Sequence, residues 1–165
     1  MAANPYSQLT GLSEQLVRTC LTVRHHTVWP PLTERSIADG MAFLAGSPRP
    51  FLYQVKCHTR AAYPDTYALK TEKLQAYRQC AESGFPMHLF IVNLPHQTIY
   101  RQDLAALDRQ YKVVVEDKVR FYPLRLKLPD TRQGMRDNVE YHMGQFEAFC
   151  KLTMEECAAL TLAAK

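Results

Sequence analysis

The alternation of apolar and polar positions along the 165-residue chain changes period several times, and each change marks an element. Over residues 7–24, Leu9, Leu12, Leu16, Val17, Cys20, Leu21 and Val23 collect on one arc at about 100° per residue, which predicts an amphipathic helix. Residues 25–29 predict a short strand stopped by Pro30 and Pro31. Residues 36–44 predict a second strand, ending in the turn Ala45-Gly46-Ser47-Pro48. The plainest strand is 51–58, where Phe51, Tyr53, Val55 and Cys57 alternate with Leu52, Gln54, Lys56 and His58. One of its faces is wholly apolar. The other presents an amide, an ammonium and an imidazole in a row.

After a loop holding Tyr63-Pro64-Asp65, residues 66–83 predict a helix closed by Gly84 and Pro86. The continuous apolar run at 87–92 predicts a strand buried on both faces. A short strand at 98–100, a short helix at 103–109 and strands at 112–115 and 119–128 follow, Pro123 favouring an edge for the last. Beyond an Arg-bearing loop, residues 138–151 predict a helix with Val139, Met143, Phe146, Phe149 and Cys150 inward. Thr153-Met154-Glu155-Glu156 is a capping box that opens a final helix. The order α-β-β-β-α-β with a second layer behind it predicts the α/β class: a central mixed β-sheet flanked by helices, with a C-terminal helical extension.

Composition sets outer bounds. With 47% hydrophobic and 22% charged residues, the chain has an ordinary core and is not wholesale disordered. Its length suits one domain, read as a core over 1–128 with a loop and helical extension over 129–165 packed on it. The net charge of +4 resides in one stretch, Lys112, Lys118, Arg120, Arg125, Lys127, Arg132 and Arg136 set against Glu116, Asp117 and Asp130. A solvated basic face and a track for a phosphate backbone account for that cluster equally well. The five cysteines are odd in number, widely spread and without a CxxC pair, which predicts reduced thiols. Met1 is followed by no apolar leader and no run is long enough for a membrane helix, so the expectation is a cytoplasmic protein without a membrane partner.

Four polar positions stand out against this background. Glu14 falls at the margin of the first helix's apolar arc, beside Val17 and Leu21, where a carboxylate points along a seam between helix and sheet. Gln54 and Lys56 share one strand face, and a hairpin turning at 45–48 brings Asp39 opposite Gln54. Carboxylates, an amide oxygen and a lysine in one cleft suit a hard divalent cation, which takes oxygen ligands and needs only one or two carboxylates beside a substrate phosphate. Such an ion lowers the pKa of bound water and clamps a phosphoryl group, and a neighbouring lysine orients the water or steadies charge.

The succession Glu14, Asp39, Gln54-Val55-Lys56, then Lys73-x-x-x-Tyr77 on the following helix, resembles the PD-(D/E)XK, restriction-endonuclease-like nuclease superfamily over about residues 7–110. The resemblance implies that Asp39 is the bridging metal ligand, Gln54 the residue in the (D/E) place, Lys56 the catalytic lysine and Glu14 the helix carboxylate. It implies that Lys73 and Tyr77 stand where relatives carry a Gln-x-x-x-Tyr element touching substrate or site. It further implies Mg2+ or Mn2+ as cofactor and DNA as substrate, in a phage, mobile-element, defence or repair setting. Ala38 stands where many members have proline, and Gln54 replaces a carboxylate, so the site carries one negative charge fewer. Pro64-Asp65 and Pro129-Asp130 precede no strand with the required lysine.

Further along, His58 is read either as a phosphate contact or general base, or as a solvated strand end. Arg60 and Lys70 are read either as phosphate contacts or as plain surface charge. A homodimer would suit double-strand cleavage. The rival reading of the whole chain is a non-catalytic nucleic-acid-binding or accessory interaction protein on the same fold. Other chemistries lack support: GxSxG and GxxxxGK[ST] are absent, and the adjacent His25-His26 would point opposite ways in a strand.

Overall fold

The computed structural model describes residues 5–24, 26–31, 37–82, 84–104 and 138–165. Among the described residues the helices and strands follow the order α1 (Pro5–Val23), β1 (Thr27–Trp29), β2 (Gly40–Phe43), β3 (Pro50–His58), β4 (Thr66–Lys70), α2 (Thr71–Glu82), β5 (Met87–Asn93), β6 (Thr98–Asp103), β7 (Asn138–His142), β8 (Glu147–Lys151) and α3 (Met154–Ala163). The apolar run at 87–92 becomes β5, buried at all seven positions, because it lies inside a mixed six-stranded sheet of order β1-β2-β3-β5-β6-β8. β3 and β5 run parallel and the other neighbours antiparallel. A parallel pair needs a crossover, and β4 with α2 supplies it.

Period two divides the core. Phe51, Tyr53 and Val55 of β3, with Ala42, Phe90, Val92, Ile99 and Phe149, pack against Leu16, Val17 and Leu21 of α1 and Leu160 of α3. On the opposite face, Leu89, Ile91 and Met87 pack against Leu74 and Tyr77 of α2, Leu69 of β4, and Tyr141, Met143 and Phe146. The α/β class is observed: a mixed sheet with helices against it and a helix at the C-terminal end.

Two stretches expected to be helical are not. Residues 66–70 form β4 and the helix begins only at Thr71. Residues 138–151 form β7, a 3-10 turn at Met143–Gln145 and β8. The two errors share a cause, since β4 and β7 pair with each other in a two-stranded sheet and β8 pairs with β6 at the edge of the large one. Met143, Phe146 and Phe149 are buried as expected, but their helix-like spacing arises from two strands joined at a tight turn. The expected elements at 112–115 and 119–128, most of the helix at 103–109 and the basic stretch all lie outside the described residues.

Cys20 of α1 and Cys150 of β8 are joined in a disulfide with Cα atoms 6.9 Å apart, across 130 residues of sequence. The expectation of uniformly reduced thiols is therefore corrected for this pair, while Cys57, Cys80 and Cys157 remain thiols. Elsewhere the loop after β3 is clamped to the end of β5: Asn93 Nδ2 donates to the Pro64 carbonyl at 2.8 Å, and His96 Nε2 meets Asp65 Oδ1 at 2.9 Å. No helix among the described residues is long and apolar enough to cross a membrane.

The capping box opens α3 as read. Glu156 N donates to Thr153 Oγ1 at 3.1 Å and Thr153 N to Glu156 Oε2 at 2.8 Å. Thr153→Ala is expected to destabilise the protein by about 1 kcal/mol, read as a fall of a few degrees in the thermal midpoint; an unchanged midpoint would mean that α3 is held by packing alone.

Candidate functional site

The site starts from the hairpin of β2 and β3. Gly40 lies opposite Tyr53, and one residue earlier Asp39 N donates to the Tyr53 carbonyl at 2.8 Å, so the chain entering β2 is already fastened to β3. The Asp39 carboxylate then turns back onto the same strand. Its Oδ2 accepts from Val55 N and from Gln54 Nε2, each at 2.6 Å. A carboxylate only accepts, so the Gln54 amide must present its nitrogen to it and keep its Oε1 as an acceptor for something else. Among the described residues Asp39 Oδ1 makes no hydrogen bond.

Glu14 reaches the same place from α1. Burial, and after it the charge of Asp39, hold the Glu14 carboxyl above its ordinary value, with Arg18 and Lys56 pulling the other way. Burial likewise raises Asp39, opposed by the Val55 N–H, Lys56 and Gln54. Lys56 is pushed down by burial, an effect that Asp39 and Glu14 oppose and Lys73 reinforces. Each of these groups is thus displaced towards its neutral form, as expected where charges gather away from water. Glu14, Asp39, Gln54 and Lys56 are one electrostatic cluster.

The other candidates divide. Lys73, exposed in the first turn of α2, acts on Lys56 through its charge. Tyr77, one turn further on, is 1% exposed and its hydroxyl is pushed up by burial and then by Asp39, so it lies beneath the cluster. His58 is neither solvated nor directed at the carboxylates: it is buried, its Nε2 lies 2.7 Å from the Tyr63 carbonyl, and it braces the loop after β3. Arg60 is exposed in that loop and acts on His58 and Tyr67. Lys70 is exposed at the end of β4.

Sequence reasoning passed over three contributors. Arg18 stands one turn beyond Glu14 on α1, a helical spacing that could have flagged it. Tyr53 is buried, and the Arg18 guanidinium approaches its hydroxyl yet leaves it without a well-formed hydrogen bond. Gly40 is fixed by this tyrosine, since a Cβ there would sit 2.4 Å from Tyr53 Oη. Only the hairpin register could have revealed that contact.

The donor set can be tested against a hard divalent ion. Among the described residues no three His, Cys, Asp or Glu side chains form a metal-binding group. Two carboxylates raised by burial, Glu14 by the Asp39 charge as well, with one amide oxygen to spare, still fit Mg2+ or Mn2+, because such an ion keeps several waters and takes its remaining oxygens from substrate phosphate. Compared with known proteins, the chain matches no family model and no curated protein.

Gly40→Ala is expected to cost about 1–3 kcal/mol, the usual range for forcing atoms into a packed site, measured by chemical denaturation. A stability equal to wild type would show that the Tyr53 ring moves aside freely.

Proposed function

We propose that the protein is a small metal-dependent nuclease that hydrolyses phosphodiester bonds of DNA, as its resemblance to the PD-(D/E)XK superfamily implies. The single observation that carries the reading is the convergence of Glu14 of α1, Asp39 at the entry to β2, and Gln54 and Lys56 of β3 into one cluster. Asp39 and Glu14 would hold Mg2+ or Mn2+, with Gln54 Oε1 as a neutral third donor. When bound, that ion supplies Lewis-acid polarisation of the phosphoryl group and an acidified water.

The chain's own residues do the rest. The Val55 N–H and Gln54 amide fix the Asp39 carboxylate on Oδ2, so Oδ1 is the oxygen left to face a ligand. Lys56, its ammonium already disfavoured by burial, takes a proton from an attacking water or donates to the phosphoryl oxygens as negative charge develops. Lys73 adds positive charge on the same side, suited to a substrate phosphate. A cytoplasmic setting suits a protein acting on the cell's nucleic acid, and the Cys20–Cys150 disulfide would there have to resist reduction.

One observation favours the second reading, a nucleic-acid-binding or accessory protein without catalysis. Gln54 is neutral where the resembled family has a carboxylate, and its amide nitrogen is turned to Asp39. Nicking of supercoiled DNA in Mg2+ or Mn2+ separates the readings. Lys56→Ala is expected to lower the cleavage rate about 10²- to 10⁴-fold and Asp39→Ala to abolish cleavage; activity surviving both changes would remove the assignment.

Cation affinity carries a pH signature. Both carboxylates must be ionised to hold a divalent ion, and both lie above their ordinary values of 3.8 and 4.5. Mn2+ affinity, followed by calorimetry, is therefore expected to fall on acidification at a higher pH than an unperturbed carboxylate pair would give. In Glu14→Gln the affinity is weaker throughout and the fall shifts with the one remaining carboxylate.

A further inference from the structure

Trp29, the chain's one tryptophan, is 51% exposed on the edge strand of the large sheet. Core packing does not account for an indole in that position. Val28 and Ala42, with Phe51 and Tyr53, belong to the face under α1. By alternation Trp29, Met41, Phe43 and Leu52 belong to the opposite face, which also carries Gln54 and Lys56. Trp29 lies directly opposite Met41, and Met41 opposite Leu52, so the three form one row across the strands. The next row on that face is Asp39 and Gln54, joined at 2.6 Å. The step between rows is two residues, roughly 7 Å at the usual rise of a strand. Phe43 supports the indole from one side, with ring centroids 5.9 Å apart and planes at 56°.

We propose that Trp29, backed by Phe43 and Met41, is a stacking platform for one unstacked nucleobase of a single-stranded nucleic acid whose backbone continues past Asp39 and Gln54 to Lys56. The proposal rests on the reading of those residues as a phosphodiester site and names the form of substrate that the site takes. Aromatic rings hold single strands because every base has a π-face, whatever the sequence. Asp39 lies one strand over and one row on from Trp29, while Lys56 lies two strands over and two rows on, at roughly 4.8 Å per strand and 7 Å per row, so a strand of two or three nucleotides runs from the indole to the ammonium. Lys56 and Lys73 supply positive charge beside the Asp39 and Glu14 carboxylates, whereas the row of Trp29, Met41 and Leu52 carries no charge. This passage from an aromatic row to an ionic cluster suits a single strand, with a base on the indole and Lys56 and Lys73 as the groups that meet its phosphates. A base-paired duplex has its ring faces covered by neighbouring pairs and offers none to Trp29, so the platform selects single strands, flaps or frayed ends.

The single tryptophan makes the test direct. The full-length protein is titrated with twelve-residue oligo(dT) and oligo(U) in EDTA, so that no cleavage occurs, and Trp29 emission is followed together with the anisotropy of a labelled strand. Emission is expected to be quenched by one or both oligonucleotides, telling which sugar is taken, and to be unaffected by a blunt duplex or by inorganic phosphate. Trp29→Ala should weaken single-strand binding about ten-fold, within the roughly 5- to 150-fold that one stacked base carries, while Trp29→Phe stays close to wild type. Circular dichroism of each variant checks the fold. Equal quenching by duplex, unmoved emission on saturation with single strand, or full affinity in a folded Trp29→Ala protein would overturn the platform. Quenching in a protein that never cleaves would uphold the platform and remove the catalytic reading; cleavage without quenching would do the reverse.

Discussion

The attachment of Asp39 to β3 is the constraint from which the rest of the site follows. Three hydrogen bonds, from Asp39 N to the Tyr53 carbonyl and from Val55 N and Gln54 Nε2 to Asp39 Oδ2, fasten the entry of β2 to the middle of β3. They set the hairpin register, and a one-residue slip would carry every side chain of one strand to the wrong face. The same bonds turn a backbone fastening into chemistry, because the carboxylate that closes the register is also the one that faces Glu14 and Lys56.

That arrangement works against stability. Asp39 and Glu14 are both raised and Lys56 is lowered, with burial the largest cause in each case. A carboxyl whose folded value lies above its unfolded value stabilises the fold below the unfolded value, and that contribution is lost as pH rises through the folded one. Near neutrality the charged cluster is therefore a load borne by other parts of the fold. Those parts are the fully buried β5, the apolar face of β3 under α1, and the Cys20–Cys150 bond between α1 and β8. Charges kept together at such cost are what functional sites commonly show. Tyr53 belongs to both sides, filling the core under α1 while its hydroxyl lies against Gly40, next to Asp39.

Where local pattern and tertiary pairing agree, the sequence was readable. The arc of Leu16, Val17 and Leu21 in α1, the alternate positions Phe51, Tyr53 and Val55 of β3 and the apolar run of β5 each encode burial directly, and the structure buries them. The contact of Asp39 with Gln54 was legible for the same reason, since period two places Gln54 and Lys56 on one face and a short turn brings Asp39 across. His58 shares that face and was misread, because alternation gives a direction but not a partner, and the Tyr63 carbonyl takes its ring nitrogen.

The sequence by itself determined the periods: which stretches are two-faced, which are buried throughout, and that an amide and a lysine share one side of β3. Only the tertiary structure decided that residues 66–70 and 138–142 are strands, because each becomes one by pairing with the other across some seventy residues. Likewise only the fold joined Cys20 to Cys150, pressed Tyr53 against Gly40 and set Trp29 in a row beside Asp39 and Gln54. Each of these depends on which strand neighbours which. A local pattern carries the burial of a residue, while its neighbours across the sheet come from segments far away in the chain.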